Sequence, residues 1–220
     1  MPPAPPPAVT PDLLRVARTL PVTEAEGPGR RAAVWVQGCS LRCPGCFNPH
    51  LWTTRGGKER MVDDLAAELV DRAVTDGVEG VTLLGGEPFD QAAPLARLAA
   101  AFHRAGLTVM TFTGYDIADL REWAANRPDI EALLASTDLL ADGPYLEAAP
   151  ERARPWIGSA NQGLHSLTDR YPHPAGRDSL EVRVAADGTV AVNGWADVAA
   201  LEDLLDGLRR PPWAQGPLAL

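Results

Sequence analysis

Cysteine is almost absent from this 220-residue chain: there are three, all within Cys39-Ser40-Leu41-Arg42-Cys43-Pro44-Gly45-Cys46. So few cysteines, so close together, cannot form a disulfide framework; in a chain without a targeting signal they indicate metal binding in a reducing compartment. Long hydrophobic runs are missing too, and no stretch approaches the roughly 20 apolar residues of a membrane span. The start lacks the basic region and apolar run of a signal peptide, so the expected location is cytoplasmic, with no membrane partner. Positive charge is in deficit: the net charge of -9 and pI of about 4.9 argue against nucleic acid as the main partner. The four histidines, His50, His103, His165 and His173, show no mutual spacing and receive no catalytic role. There is no internal repeat.

What is present is a C-x3-C-x2-C loop with no fourth cysteine. Thiolates select soft metals and iron–sulfur clusters. A 4Fe–4S cube normally takes four cysteines; held by three, it leaves one iron open to a substrate or cofactor. The competing reading is zinc, with His50 completing a Cys3His set beside the Cys43-Pro44-Gly45-Cys46 knuckle. Zinc sites usually pair two ligand doublets, whereas one short loop carries everything here. Charge is also uneven: Arg30, Arg31, Arg42, Arg55, Lys58 and Arg60 stand against the single acid Glu59 around the cysteines. That patch reads either as a solvated loop or as a docking face for an acidic electron donor or an anionic ligand.

Strand signals cover Leu13 to Ala17 and Ala32 to Gln37, separated by the Gly/Pro loop Glu26-Gly27-Pro28-Gly29. Helical spacing follows over Val62 to Val70, then a buried-strand run over Gly80 to Leu84 leading into Gly85-Gly86-Glu87-Pro88. A helix over Gln91 to Arg104, a strand over Leu107 to Phe112, helices over Asp116 to Ala125 and Ile130 to Ala135, and a strand over Asp138 to Ala141 continue the alternation. This is the pattern of a parallel sheet flanked by helices, whose functional loops gather at the carboxyl ends of the strands. Leu180 to Ala185 and Thr189 to Asn193 flank Ala186-Asp187-Gly188 as a hairpin, and a last amphipathic helix is expected over Val198 to Leu208.

Taken in order, the motifs resemble the radical S-adenosylmethionine (SAM) enzymes, and within them the glycyl-radical-enzyme activating proteins, closest to the branch serving anaerobic ribonucleoside-triphosphate reductase. The resemblance rests on Glu26-Gly27-Pro28-Gly29-Arg30, on Gln37-Gly38-Cys39 through Cys46-Phe47-Asn48-Pro49, and on Gly85-Gly86-Glu87-Pro88. It continues through Phe112-Thr113-Gly114-Tyr115, Asp142-Gly143-Pro144-Tyr145 and Gly158-Ser159-Ala160-Asn161-Gln162, from about Leu14 to Gly194. It implies an α/β fold, a partial (β/α)6 TIM-like barrel of six parallel strands with a short C-terminal β-hairpin and helix. The implied organisation is a disordered Pro-rich tail over 1–11, one radical SAM domain over 12–210 and a tail over 211–220.

The resemblance further implies that Cys39, Cys43 and Cys46 hold a 4Fe–4S cluster whose fourth iron takes the amino and carboxylate groups of SAM. Gly85 and Gly86 would let SAM approach the strand end, and Glu87 would accept from its ammonium. Gly45 and Phe47 would contact adenine, Thr113 and Asp142 the ribose or methionine end, and Ser159 and Asn161 would close the far side. Ser, Thr, Asn and Asp serve equally as loop caps, so for those four the capping reading stays open. Phe47 departs from the histidine common in that branch, and Gly45 replaces the aromatic found before the third cysteine in many radical SAM enzymes. The implied activity is reductive SAM cleavage to place a glycyl radical on a partner enzyme, fed by a flavodoxin- or ferredoxin-like donor. Modification of a peptide, nucleoside or small metabolite is the alternative within the same chemistry; a zinc-binding adaptor is the third reading.

Overall fold

Connection length decides the direction of each strand. The computed structural model describes residues 4–151, 153–172 and 176–195, together with Glu202 and Asp206. Its large sheet has seven strands in the order β3-β1-β2-β4-β5-β6-β7. Strand β1 (Leu13–Thr23) turns into β2 (Arg31–Val36) through residues 24–30, and the two pair antiparallel. A parallel return needs a crossover of about a dozen residues or more, usually a helix. Such crossovers join β2 to β4 (Gly80–Gly85) through α1 (Val62–Asp76), and β4 to β5 (Thr108–Phe112) through α2 (Ala92–Arg104). Helices α3 (Ile117–Ala124) and α4 (Pro128–Ala135) carry β5 to β6 (Leu139–Asp142).

The parallel core is therefore four strands, β2, β4, β5 and β6, not the six expected. The remainder is antiparallel: β3 (Lys58–Met61) on the far side of β1, and β7 (Gly163–Ser166) beside β6. Strand β1 outruns its expected end at Ala17, and its register shifts between Val16 and Arg18 and again between Leu20 and Thr23. Pro21, which cannot donate to a ladder, sits in the second irregularity.

Alternation along the strands sends one set of side chains to each face. Val34, Val36, Val81, Leu83 and Val109 join the main core under the helices, with Leu65 and Leu69 of α1 and Leu95, Leu98 and Phe102 of α2. Acidic Asp63 and Asp64 in the first turn of α1 suit its dipole. Residues of opposite parity, Ala33, Trp35 and Leu84 with partly buried Phe112, form a separate inner cluster, and Met110, Leu139, Ala141 and Ile157 another. The hairpin appears as expected, β8 (Leu180–Val184) against β9 (Val190–Gly194), its turn held by Thr189 N–H donating to Asp187 Oδ1 at 2.9 Å. The helix expected over Val198–Leu208 lies outside the described residues, Glu202 and Asp206 excepted. In the Pro-rich start, Pro6 is buried and its carbonyl accepts from Arg127 at 2.6 Å. No helix among the described residues is long and apolar enough to cross a membrane.

Candidate iron–sulfur and cofactor site

Strand ends build one rim. The cysteine loop leaves β2, Gly85-Gly86-Glu87-Pro88 ends β4, Thr113-Gly114-Tyr115 follows β5, and Asp142-Gly143 ends β6. Below them lies a cavity of about 440 Å³ whose lining includes Cys39, Cys43 and Cys46. None of the three is in a disulfide. Backbone N–H groups of Leu41 and Arg42 face the Cys39 sulfur, that of Tyr145 faces Cys43, and that of Asn48 donates to Cys46 Sγ at 3.4 Å. Burial pushes the Cys39 thiol up to about 11 and raises that of Cys43. A metal bound by these sulfurs displaces the thiol protons. Three sulfurs on one cavity wall, each met by N–H donors, fit the donor set of an iron–sulfur cluster. Among the described residues no three His, Cys, Asp or Glu side chains gather round a single metal-ion position. His50, proposed to complete a zinc set, is exposed and is not among the cavity-lining residues.

Two glycines of the Gly-Gly-Glu-Pro turn are dictated by the neighbouring backbone. A Cβ on Gly86 would stand 2.1 Å from the Gly38 carbonyl oxygen, and one on Gly85 (φ +111°) 2.7 Å from Trp35 Cα and Val36 N. Both line the cavity, and their lack of side chains lets the cysteine loop close directly onto β4. The Glu87 N–H donates to that same Gly38 carbonyl at 2.8 Å.

Glu87 is 1% exposed and lines the cavity. Its Oε1 accepts from Phe89 N–H (2.9 Å) and Thr113 Oγ1 (2.8 Å), and its Oε2 from Gly114 N–H (2.8 Å). A carboxylate oxygen takes about two donors, so Oε1 is filled and Oε2 keeps one place for a ligand. Burial, with Asp90 adding repulsion, raises the Glu87 pKa to about 8 against the hydrogen bonds that lower it. A cationic ligand at Oε2 would favour the ionised form.

The anchoring of the cysteine loop was not foreseen. Asp90 Oδ2 accepts from Ser40 N–H at 2.7 Å, and Oδ1 from Ser40 Oγ (2.9 Å) and Tyr115 OH (3.1 Å). Gln91 Nε2 donates to the carbonyls of Arg15 (3.2 Å) and Gln37 (3.1 Å), and Gln37 Nε2 donates to those of His50 and Thr53. The signal was available: polar residues, Asp90 and Gln91, continue directly from Gly85-Gly86-Glu87-Pro88-Phe89.

Of the other expected residues, Thr113 lines the cavity with its hydroxyl committed to Glu87. Phe47 lines it too, 59% exposed, its ring centroid 5.2 Å from that of Tyr145. Gly45 turns elsewhere; a Cβ there would meet the Glu147 side chain at 2.9 Å. Asp142 is brought to the rim but its carboxylate holds structure together, accepting from Ile117 N–H (2.7 Å), Gly163 N–H (3.0 Å) and His165 Nε2 (2.9 Å). Ser159 accepts from Leu146 N–H and donates to Asn161 Oδ1, while Asn161 Nδ2 donates to the Pro144 carbonyl. The loops after β6 and before β7 are thus sutured to each other, and Gly143, Tyr145, Trp156, Ile157, Gly158 and Gln162 are their cavity-lining members.

The far wall is unlike the rim. Arg18 lies 4.2 Å over the Trp35 ring, and its Nε is buried without an acceptor among the described residues, as are the indole N–H groups of Trp52 and Trp156. All three residues line the cavity. Sealed donors of this kind cost about 1–3 kcal/mol each.

Fold and donor set define an iron–sulfur protein with an α/β scaffold, and the family model of the 4Fe-4S single cluster domain matches residues 25–165. The chain is 30% identical over 156 residues to the anaerobic ribonucleoside-triphosphate reductase-activating protein of Vibrio cholerae, covering 67% of this chain and 95% of the relative. It is 30% identical over 161 residues to that of Salmonella typhimurium (70% and 99% covered), and 29% over 156 residues to that of Enterobacteria phage T4 (69% and 94%). This chain belongs to the family of the anaerobic ribonucleoside-triphosphate reductase-activating proteins.

Proposed function

We propose that this protein is a radical SAM enzyme that generates a glycyl radical on a partner, an anaerobic ribonucleotide reductase. Cys39, Cys43 and Cys46 hold a 4Fe–4S cluster with one iron left for the amino and carboxylate groups of SAM. When bound, the cluster, once reduced by an external one-electron donor, would supply one electron to the sulfonium of SAM, so that the S–C5′ bond breaks to methionine and a carbon radical able to remove a substrate hydrogen. The chain's residues bind, orient and seal. Glu87 Oε2 would accept an N–H from the SAM amino group, with Thr113 and Gly114 fixing the carboxylate; Gly85 and Gly86 form the turn that brings β4 against the cysteine loop. Phe47 covers the adenine side. Asp142, Ser159, Asn161 and Gly45 act through the loops they hold. The apolar side chains of the inner face, Trp35, Leu84 and Phe112, help to exclude water from the reacting centre.

The observation that carries this reading is that all three cysteines and Glu87 line one cavity at the carboxyl ends of parallel strands. We read residues 12–210 as one domain and the open sheet as a partial barrel in the cytoplasm, with a flavodoxin- or ferredoxin-like donor serving the basic face near Arg42 and Arg55. The test is anaerobic reconstitution. About four irons per chain and a broad brown absorption are expected, then 5′-deoxyadenosine on dithionite reduction with SAM, and none from Cys43→Ala. Incubation with the reductase should produce a glycyl-radical resonance. A colourless protein with one zinc, or a full cluster without SAM cleavage, sinks the reading.

A further inference from the structure

The inner wall of the cavity holds an acid and a base that do not meet. Arg18 faces Trp35 across the β1–β2 ladder, and Trp35 pairs with Leu84, one residue below the rim at Gly85. Its guanidinium stacks on Trp35 and makes no hydrogen bond or ion pair among the described residues. Glu26 sits deeper: its carbonyl accepts from Thr82 Oγ1, three strand residues below Gly85 and so roughly 10 Å down the sheet. Its Oε1 accepts from Gly194 N–H at 2.8 Å and Asn193 Nδ2 at 3.3 Å, while Oε2 has no donor among the described residues. Both side chains line the cavity and feel each other electrostatically, yet no ion pair joins them.

We propose that Arg18 and Glu26 form a clamp for a main-chain amide of the substrate peptide, Arg18 donating to a carbonyl oxygen and Glu26 accepting an amide N–H. This deepens, and rests on, the reading that the substrate is a protein glycine. A carboxylate ligand would meet Glu26's charge and an amine would meet that of Arg18. A neutral amide offers one acceptor and one donor, matching both at once. Burial depresses the Arg18 guanidinium, with Arg183 adding repulsion, and Glu26 works against that shift. Trp35, Phe112, Ile157 and Val192 supply apolar wall between the polar groups, suited to a segment with little side chain. Trp52 and Trp156 hold further donors on the same cavity, without acceptors among the described residues. Arg18 and Glu26 are positioning residues: they place the glycine and take no part in electron or hydrogen transfer.

The test titrates the reconstituted, SAM-saturated protein by calorimetry with an acetylated, amidated alanyl-glycyl-alanine peptide. Two comparison probes are the same peptide with a free carboxylate and one with sarcosine for glycine, which removes the N–H. Arg18→Gln should raise the peptide dissociation constant at least tenfold relative to that of SAM, with Arg18→Lys in between because it keeps charge but not the fork. Glu26→Gln should weaken the capped peptide about threefold and the sarcosine peptide not at all. Arg18→Gln and Arg18→Lys both binding peptide like the unaltered protein would overturn the clamp. So would a parallel loss of SAM affinity, which makes Arg18 a SAM ligand, or a preference for the free-carboxylate probe lost in Arg18→Gln, which makes it an anion site. Absence of peptide binding to the unaltered protein also overturns it. Failure of SAM cleavage under dithionite, by contrast, removes the proposed enzyme chemistry and leaves the peptide titration as an independent result.

Discussion

On the rim, Ser40, Asp90 and Tyr115 close a hydrogen-bonded triangle beneath the cysteine loop, and Glu87 takes three donors from two strand-end loops. On the inner wall of the same cavity, Arg18 stacks on Trp35 without a hydrogen bond among the described residues, and the indole N–H groups of Trp52 and Trp156 have no acceptor among them. The first arrangement holds a loop in place whether or not a ligand is bound. The second is incomplete without one. Functional surfaces commonly give up stability in this way, so the two walls should answer mutation with opposite signs.

The largest effect should come from the rim. Asp90→Ala removes the acceptor for Ser40 N–H and leaves Tyr115 OH, in a residue 2% exposed, with Ser40 alone. A loss of about 2–3 kcal/mol in denaturant unfolding of the cluster-free protein is expected, along with lower iron occupancy after reconstitution. A loss below about 0.5 kcal/mol would mean that the loop is held by Gln37 and Gln91 instead.

Glu87→Gln comes next, at about 1–2 kcal/mol: the amide can still accept at one end but opposes Gly114 N–H at the other. Its pH signature is sharper. The Glu87 pKa is raised from an ordinary 4.5 to about 8 in the folded chain, so the folded state holds a proton that the unfolded state has released. Its contribution to stability is complete below about 4.5 and is lost as pH rises to about 8. The unaltered ligand-free protein should therefore show a steeper fall in unfolding free energy across that window than Glu87→Gln. Parallel profiles would mean that Glu87 is ionised throughout.

The sequence displayed the chemistry that is local and concealed the chemistry that is not. Cys39, Cys43 and Cys46 share one loop, and Gly85-Gly86-Glu87-Pro88 is contiguous, so both could be read directly. The buried strands β2, β4, β5 and β6 are apolar runs bounded by turns and equally plain. Strands β3 (Lys-Glu-Arg-Met) and β7 (Gly-Leu-His-Ser) carry edge-strand composition, which has no hydrophobic period to read. The Ser40–Asp90–Tyr115 triangle joins residues 25 to 75 positions apart, and Arg18 reaches Trp35 through a register containing an irregularity. Asp142 and Ser159 were expected to face SAM, and only the fold displays that their side chains tie loops together.

Arg18→Leu should reverse the sign of the rim mutations. It loses a cation–π contact of about 0.5–1 kcal/mol at a half-exposed site and removes a sealed donor costing about 1–3 kcal/mol. The expected net is unchanged or higher stability, by up to about 2 kcal/mol, read in the same unfolding experiment as Asp90→Ala. A clear loss would place Arg18 with the structural side chains and erase the contrast between the walls.

The smallest effect on folding should fall where the two walls meet solvent, at Phe47. Its ring is 59% exposed and its contact is the tilted stack on Tyr145, so truncation removes little buried area. Phe47→Ala should alter unfolding free energy by no more than about 0.5 kcal/mol. An exposed aromatic that costs little to remove nonetheless lines the cavity and follows Cys46 directly in the chain. If it covers the adenine, stability and binding must separate: the SAM dissociation constant of the reconstituted protein should rise severalfold while the melting temperature stays put. Equal SAM affinity in Phe47→Ala would leave Phe47 as a surface ring, and the adenine side of the cavity to Tyr145 and the Gly143 loop.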